Sequence, residues 1–429
     1  MFGFANFLLL ALFAAAVFDL IFALARGGGL RGALHGLWNT PHLLFGQQLA
    51  EWRLQLGRIL FAAGLAAYEI SVVFCNSMAR QNWAWVQGVM SPVLEWLAFL
   101  CFGAKILFGT RYTWRELLAG GALYFIARWV YFNSQNIWWI GIVVAVLAAK
   151  DVPLRRPLQV YFASGCAAMA VVLALHFAGI VAPDLTSERM GALRGTYGYG
   201  HPNTFGGLVF GLVLAYALLR AQKVRWVDCL LVFAVGVFLL VGPASRSAAL
   251  CTLALAVGLV FCRLRAGHSV PRWWPGTCAG MVGLTAAVSY FLPLLVIKVG
   301  PWNNDIGPAW LAKLDSLLTC RISLTWMAYR LLDVKIAGQV FNWPTVDNSF
   351  AFALFQFGPV VAALLGILFA AALWGHAKQG RRVEFCCLFA MLAYAYMEVQ
   401  PFHLTTNPTA LLLCGAVFAQ TSARWQKIE

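Results

Sequence analysis

Apolar residues in this chain form long, nearly uninterrupted runs with short polar segments between them. A helix needs about 20 consecutive apolar residues to cross a bilayer, so the longest runs are candidate transmembrane helices. These runs lie near residues 2–25, 58–75, 88–108, 116–132, 136–149, 158–180, 204–219, 226–241, 246–262, 275–297, 349–373, 384–400 and 408–421. The pattern predicts an all-α, polytopic helical membrane protein with about 12–14 transmembrane helices.

Polar segments divide these spans into groups. We expect N-terminal transmembrane helices over residues 1–180, central transmembrane helices over 204–297 and C-terminal transmembrane helices over 349–429. Two loops, over 181–203 and 298–348, separate the three groups. The second loop is long enough to carry structure of its own.

The placement of basic residues predicts the orientation of the chain. Lysine and arginine concentrate in alternate short loops, and the positive-inside rule places such loops in the cytoplasm. These loops lie near residues 111–115, 150–156, 220–225, 263–272, 378–382 and 424–427. The loops over 181–203 and 298–348 then face outward, together with the short segments 242–246 and 401–407.

Composition supports the membrane assignment. Hydrophobic residues make up 62% of the 429 residues and charged residues 11%, whereas a soluble globular chain carries about 25% charged residues. The formal charge of +15 would suit a nucleic-acid-binding protein, but the cytoplasmic loops account for it, so membrane lipids and not nucleic acid are the expected partners. The 11 cysteines lie mostly in apolar segments, which indicates neither a disulfide framework nor a zinc site.

One polar, glycine-rich stretch lies between two predicted spans, from Arg194 to Gly206. Its glycines allow sharp turns, and Pro202 with Asn203 indicates a helix start, with Asn203 as the cap. The N–H groups of a first helical turn, with Arg194 nearby, favour a phosphate or pyrophosphate ligand. An ordinary surface loop with a good helix cap is an equally strong interpretation of these residues.

Other spans that enter from the predicted outer side also begin with capping residues. Ser245 stands beside Arg246, and Asn348 stands beside Asp347. Several positive helix ends would then meet at one outer pocket. Every helix needs a start, so capping alone explains part of this pattern. The recurrence of charged neighbours is the part that it does not explain.

The long outer loop carries an amphipathic pattern. Over residues 308–332 apolar residues recur at intervals of three and four, which predicts a helix along the outer membrane interface. Its basic residues are available to anionic lipid head groups or to a lipid pyrophosphate: Lys313, Arg321, Arg330 and Lys335. A lid held only by the charge of the lipid surface is the alternative.

Ionisable residues inside the predicted spans are a further group of candidates, because a charge in a bilayer is costly. They are Asp19, Glu69, Glu95, Lys105, Arg128 and Glu398. We expect Glu69, Glu95 and Arg128 to pair inside the bundle as structural contacts, with a proton relay as the alternative.

The stretch from Arg194 to Gly206 resembles the outer-loop signature of the bacterial O-antigen and exopolysaccharide repeat-unit polymerases, especially the Gram-positive capsule type. Three further segments are similar to motifs of the O-antigen ligase and polymerase superfamily and follow in the same order. They are Ser245-Arg246-Ser247-Ala248, Leu318-Thr319-Cys320-Arg321-Ile322, and Val346-Asp347-Asn348-Ser349-Phe350 followed by Gly358. Outside residues 194–358 the resemblance is one of hydropathy alone.

The resemblance implies a membrane glycosyltransferase similar to the GT-C class, acting at the outer face of the bacterial cytoplasmic membrane. Arg194, Arg246 and Arg321 would hold the pyrophosphate of the lipid carrier as bidentate donors, in place of a metal ion. Asp347 or His201 would accept the proton of the acceptor hydroxyl. Further substrate contacts are expected from Asn203, Tyr199, Asn348 and Arg330.

The resemblance also implies the partners. Donor and acceptor would both be undecaprenyl-pyrophosphate-linked oligosaccharides, and a chain-length regulator and a flippase are expected beside the enzyme. No acidic cluster of the Asp-x-Asp kind lies on the predicted outer side, which favours a site without metal, and no cofactor is expected. Two other roles stay open for His201: it caps a helix, or it binds a phosphate or a sugar. One other role stays open for Asp347, that of a helix cap.

Two other functions fit parts of the sequence. An O-antigen-type ligase would transfer finished glycan to a different acceptor, but such ligases usually carry His where this chain has Asp347, which favours a polymerase. A transporter or flippase of lipid-linked sugars would use Glu69, Glu95 and Arg128 within the bilayer. The concentration of polar residues on one predicted face argues against transport.

Overall fold

The computed structural model describes residues 2–25, 29–46, 48–181, 187–189, 192–266, 268–296 and 307–418. Parts of the two predicted outer loops and of the C-terminal group lie outside the described residues, namely 182–186, 190–191, 297–306 and 419–429. Within the described ranges helices make up most of the chain.

Eighteen α-helices follow one another along the described chain. In order they are α1 (Phe2–Ala25), α2 (Gly29–Asn39), α3 (Ala50–Cys75), α4 (Ala79–Asn82), α5 (Ser91–Phe108), α6 (Trp114–Ser134), α7 (Ile137–Ala148), α8 (Arg155–Phe177), α9 (Pro202–Leu219), α10 (Trp226–Val241), α11 (Arg246–Leu264), α12 (Trp274–Phe291), α13 (Ala309–Leu317), α14 (Arg321–Leu331), α15 (Ser349–Phe352), α16 (Pro359–Lys378), α17 (Arg382–Met397) and α18 (Cys414–Val417). Short 3₁₀ or π segments adjoin several of them: Val86–Met90, Leu292–Leu295, Ala353–Phe357, Gln400–Phe402 and Pro408–Leu413.

Two small antiparallel sheets tie loops together. Strand β1 (His42–Leu43) pairs with β2 (Arg111–Tyr112), and strand β3 (Ser187–Arg189) pairs with β4 (Ala192–Arg194). The second hairpin ends at Arg194, so it fixes where the backbone of that arginine lies.

Eight helices of the described chain are long and apolar enough to cross a membrane. They are Gly3–Ala25, Ala50–Cys75, Val86–Phe108, Arg155–Phe177, Pro202–Leu219, Arg246–Leu264, Trp274–Leu295 and Pro359–Lys378. The other predicted spans coincide with shorter or more polar helices, namely α6, α7, α10, α17 and Pro408–Val417. The chain is an all-α, multi-pass membrane protein, as its hydropathy predicts.

Large apolar side chains on the outside of the bundle agree with this assignment. Phe13 on α1 is 70% exposed and Val227 on α10 is 71% exposed. In water such a surface would promote association, whereas in a bilayer it contacts lipid tails of the same polarity.

Helix α9 lies at the centre of the bundle, with 72% of its span buried. Glycines near its start let neighbouring segments approach closely. A Cβ added to Gly206 would lie 2.3 Å from Ser245 Oγ, and one added to Gly207 would lie 1.7 Å from Gln400 Oε1. The start of α11 and the segment after α17 therefore pack directly against the first turns of α9.

Two helices predicted as continuous are broken in the structure. The amphipathic helix expected over 308–332 is divided into α13 and α14 at Thr319 and Cys320, which both have a φ of +61°. The span expected over 349–373 is interrupted at Gly358, where φ is +86°. A residue with a positive φ ends the first half of each of these predicted helices. Hydrophobic periodicity does not predict such backbone turns.

The ionisable residues inside the spans do not pair as expected. Nε of Arg128 donates to Asn6 Oδ1 at 2.8 Å, and the guanidinium lies 4.7 Å from the centre of the Phe132 ring. Glu69 is 2% exposed and forms no ion pair with any described residue. The predicted pairing of Glu69, Glu95 and Arg128 is therefore wrong.

Candidate active site

A cavity of about 310 Å³ lies where β4 ends and where α9, α11 and α14 begin. Its lining is polar and consists of Arg194, His201, Asn203, Arg246, Ser247, Thr319, Arg321 and Asp347. These residues come from, or directly follow, the loops that the positive-inside pattern places outside. We refer to this space as the arginine cavity.

His201 caps the N-terminus of helix α9, and the first turn of this helix forms one wall of the cavity. Its Nδ1 accepts a hydrogen bond from Asn203 N at 3.1 Å, so His201 is the N-cap and Pro202 is the first helical residue. The prediction that Asn203 caps the helix is wrong. The Asn203 side chain faces the cavity instead, and its Oδ1 accepts from Nη2 of Arg194 at 3.0 Å.

Glu398 holds three walls of the cavity together, although the motifs did not mark it as a site residue. It is 4% exposed, and its Oε1 accepts from Arg321 Nη2 at 2.6 Å, Ser247 Oγ at 2.6 Å and Asn203 Nδ2 at 3.0 Å. One carboxylate oxygen thus joins α14, α11 and α9. The signal in the sequence was an acid at the end of an apolar run. Ser247 and Thr319 were also missed, because the motifs that contain them suggested roles only for their neighbours.

Two of the three arginines are held by backbone carbonyls. Nη2 of Arg194 donates to Ala244 O at 3.1 Å. Arg321 donates to Leu318 O through Nη1 at 2.9 Å and to Met397 O through Nε. Arg194 is 8% exposed and Arg321 is 9% exposed. Both guanidinium groups are therefore fixed before any ligand arrives.

Arg246 differs from the other two. It is the exposed first residue of α11, and it makes no hydrogen bond or ion pair with any described residue. All of its N–H donors face either the cavity or solvent. The arginine cavity thus combines two fixed cations with a third whose donors are all available to a ligand.

The loops that carry these arginines contain residues with unfavourable backbone angles. Eight described non-glycine residues have a positive φ, and four of them lie within three positions of a cavity arginine: Tyr197, Ala244, Thr319 and Cys320. Each such residue costs on the order of 1–3 kcal/mol. Backbone strain of this kind concentrates at functional sites, where it aims side chains at a ligand.

Asp347 supplies the carboxylate that faces the cavity. The next residue, Asn348, is the helix cap, since its Oδ1 accepts from Phe350 N at 2.9 Å and Ala351 N at 3.1 Å. The half-buried side chain of Asp347 accepts no hydrogen bond from any described residue. Asp347 is therefore not a helix cap, and its carboxylate is available to a substrate.

The electrostatic surroundings assign different tasks to Asp347 and His201. Burial raises the pKa of Asp347, and the charge of Arg321 offsets part of this rise, as does His201 when its ring is protonated. A carboxylate with a raised pKa is a better base. Burial lowers the pKa of His201, and Arg194 lowers it further, so the ring is neutral at neutral pH. Because Nδ1 of His201 accepts a backbone hydrogen bond, its proton is on Nε2. His201 is thus a donor toward a ligand.

Three predicted substrate contacts lie outside the arginine cavity. Tyr199 is 0% exposed and packs against Phe205, with ring centroids 5.6 Å apart. Asn348 is 4% exposed and caps α15. Arg330 is exposed and lies over the ring of Trp326 at 5.6 Å. These three residues belong to the same motifs or the same amphipathic pattern as the cavity residues, but they do not line the arginine cavity. Their contact with a substrate stays a prediction.

Comparisons with known proteins leave the family of this chain open. No protein-family model matches it, and neither the curated proteins nor the solved structures contain a significant match. The resemblance to the polymerases and ligases is therefore carried by the quoted motifs, and the function must be inferred from the geometry of the arginine cavity.

Proposed function

We propose that this protein is a polysaccharide polymerase. It transfers a growing glycan from an undecaprenyl-pyrophosphate carrier to a lipid-linked repeat unit. The observation that carries the proposal is the arginine cavity, in which three guanidinium groups from separate loops surround one space that a carboxylate also faces. The order of the four resembling motifs supports the same function.

A pyrophosphate leaving group suits these cations. Guanidinium groups bind phosphate oxygens bidentately, and the pyrophosphate gains negative charge as the glycan leaves it. Arg194 and Arg321 are already oriented by backbone carbonyls, so they need little reorganisation as that charge develops. Arg246 would add its unused donors to the same ligand.

The proposed reaction is a substitution at the anomeric carbon of the donor glycan. A hydroxyl oxygen of the acceptor sugar forms the new bond to that carbon, the bond from the carbon to the pyrophosphate oxygen breaks, and its electron pair stays on the pyrophosphate. Asp347 takes the hydroxyl proton. Nε2–H of His201 donates a hydrogen bond to a phosphate or sugar oxygen.

The same proposal places the protein in the bacterial cytoplasmic membrane with the arginine cavity facing outward. Basic residues in alternate loops support this orientation. A lipid-linked donor and acceptor would reach the cavity from the outer leaflet, delivered by a flippase and with a chain-length regulator nearby. We extend the proposal to a GT-C-like, metal-independent enzyme, in which arginines take the place of a cation on the leaving group.

A polymerisation assay tests the proposal. Purified full-length protein in nanodiscs is incubated with one lipid-linked repeat unit and no other acceptor, and a ladder of products with increasing repeat number is expected. Asp333→Asn is a matched control, because Asp333 is an exposed acid of the same loop outside the cavity, and it should give the wild-type ladder. Transfer only to an added, chemically different acceptor would indicate a ligase. No transfer in either case would contradict the proposed chemistry.

A further inference from the structure

A second cavity lies at the opposite end of the bundle. Helix α9 begins at the arginine cavity, and Leu218 near its other end lines this second space; 18 residues of helix span about 27 Å. The second cavity measures about 250 Å³ and lies among the loops that the basic-residue pattern places in the cytoplasm. We refer to it as the inner cavity.

The inner cavity has an apolar floor and a charged rim. Side chains from three helices form part of the floor: Leu54 of α3, Leu158 of α8 and Leu218 of α9. Three cations lie at the rim: Arg58, Arg111 and Arg381. This combination fits an amphiphile with a phosphate-containing head group better than it fits a small polar solute.

Two polar groups that line the inner cavity are buried and keep unused hydrogen-bonding capacity. Glu384 of α17 is 8% exposed; its carboxylate accepts a hydrogen bond from its own backbone N–H and feels the charge of Arg381, but it makes no hydrogen bond or ion pair with any other described residue. Nδ1 of His376 is buried and has no hydrogen-bond partner on the described residues. Burial of polar atoms with unused capacity is costly, so both groups point to a ligand that supplies donors.

We propose that the inner cavity binds a membrane phospholipid whose head group carries a phosphodiester and a primary ammonium, as in phosphatidylethanolamine. The phosphodiester would accept hydrogen bonds from Arg58 and Arg381. The ammonium would donate to the Glu384 carboxylate and to His376 Nδ1. An acyl chain would lie on the leucine floor. A purely anionic lipid would satisfy the arginines but would leave Glu384 facing a second negative charge.

Titration of the full-length protein in detergent with dioctanoyl-phosphatidylethanolamine, followed by calorimetry, tests this site. Glu384→Gln keeps the shape of the side chain but removes its charge, so its affinity for this lipid should fall about tenfold or more. Its affinity for dioctanoyl-phosphatidylglycerol, which has no ammonium, should stay the same or rise. Arg58→Ala should weaken the binding of both lipids.

Arg156→Ala is the matched control, because Arg156 is an exposed arginine at the start of α8 that does not line the inner cavity. It should bind both lipids as the wild type does. Phosphoethanolamine without acyl chains should bind more weakly than the lipid, since it lacks the apolar contact. If phosphoethanolamine binds as tightly as the lipid, the ligand is a free phosphoester and the proposal of a lipid is overturned.

The proposal is also overturned if wild-type protein binds the two lipids with equal affinity, or if Glu384→Gln binds phosphatidylethanolamine as the wild type does. Arg58 is exposed, so Arg58→Ala keeps the test decisive if the Glu384 variant gives too little folded protein. Unchanged lipid binding by Arg58→Ala would overturn the proposal by itself. None of these measurements depends on the proposed polymerase activity.

Discussion

At the scale of single residues, we propose one carboxylate, that of Asp347, for proton transfer in the arginine cavity. Nδ1 of His201 is occupied by the first backbone N–H of its own helix, which leaves Nε2–H as a donor only. Asp347, in contrast, accepts no hydrogen bond from any described residue. Since burial raises the pKa of Asp347, its basic form is present above that pKa and is lost as the pH falls through it.

We expect Asp347→Asn to lower the rate of glycan elongation by about 10²–10⁴-fold, the range for loss of a general base, with no loss of folded protein. The wild-type rate should fall at acid pH as Asp347 becomes protonated, at a pKa above the ordinary value for aspartate. The residual activity of the variant should lack this fall. The measurement is the elongation rate as a function of pH.

His201→Asn provides the comparison for this profile. Asparagine also caps helices, so α9 should keep its start, while the Nε2–H donor is lost. The variant should be slower than the wild type but should retain the fall in activity that Asp347 causes. If the fall in activity at acid pH is lost in His201→Asn and kept in Asp347→Asn, the two roles are reversed: His201 is then the base and Asp347 is not.

The residue types of the arginine cavity were predictable, but the roles of the individual arginines were not. The motifs placed Arg194, Arg246 and Arg321 in segments predicted to face outward, so a shared site was expected from topology. Which arginines are fixed depends on the carbonyls of Ala244 and Met397, which reach them only in the folded chain. No pattern local to an arginine carries that information.

At the scale of elements, Glu398 is the joint between α9, α11 and α14. Its side chain is 6% exposed and that of Arg321 is 9% exposed, so their ion pair is buried. Loss of one partner of a buried pair leaves an uncompensated charge and costs about 3–5 kcal/mol. We expect Glu398→Gln to lower the thermal stability of the purified protein and to abolish elongation.

Glu384→Gln is the matched control for that experiment. Glu384 is also buried and lies at the other end of α17, but it has no ion pair with a described residue. Removal of its charge should leave thermal stability unchanged or increase it. Equal losses of stability in Glu384→Gln and Glu398→Gln would show that Glu398 does not act as a joint between helices.

The contact of α9 with α11 gives a second prediction at this scale. Gly206→Ala would place a methyl group 2.3 Å from Ser245 Oγ and 3.2 Å from Ala248 Cβ, so the start of α11 must move. Overpacking of this kind costs about 1–3 kcal/mol and would displace Arg246. Gly200→Ala, with no atom within 4 Å of the added carbon, should behave as the wild type in stability and elongation.

Helices were predictable from hydropathy, whereas their interruptions were not. Apolar runs mark the segments that need burial or lipid, and each predicted span contains helical residues within the described ranges. The breaks at Thr319, Cys320 and Gly358 arise from residues in the left-handed region. Only one of these three residues is a glycine. Residue type therefore did not predict the break at Thr319 and Cys320, which directly precedes Arg321.

At the scale of the whole molecule, two cavities of different character lie at the two ends of α9. The arginine cavity is lined by polar side chains, while the inner cavity joins a charged rim to an apolar floor. The positive-inside pattern predicted which loops share an end. It could not predict the inner cavity, because the residues that form it come from separate helices and no motif marks them.

The most direct test of the central claim is a comparison of undecaprenyl pyrophosphate with undecaprenyl monophosphate as ligands of the full-length protein in nanodiscs. We predict that the wild type binds the pyrophosphate more tightly and that Arg246→Ala loses about 10–100-fold of this affinity. Arg330→Ala, an exposed arginine of α14 outside the cavity, should lose none. Equal affinity for the two lipids, or unchanged binding by Arg246→Ala, would contradict the claim that these arginines hold a pyrophosphate.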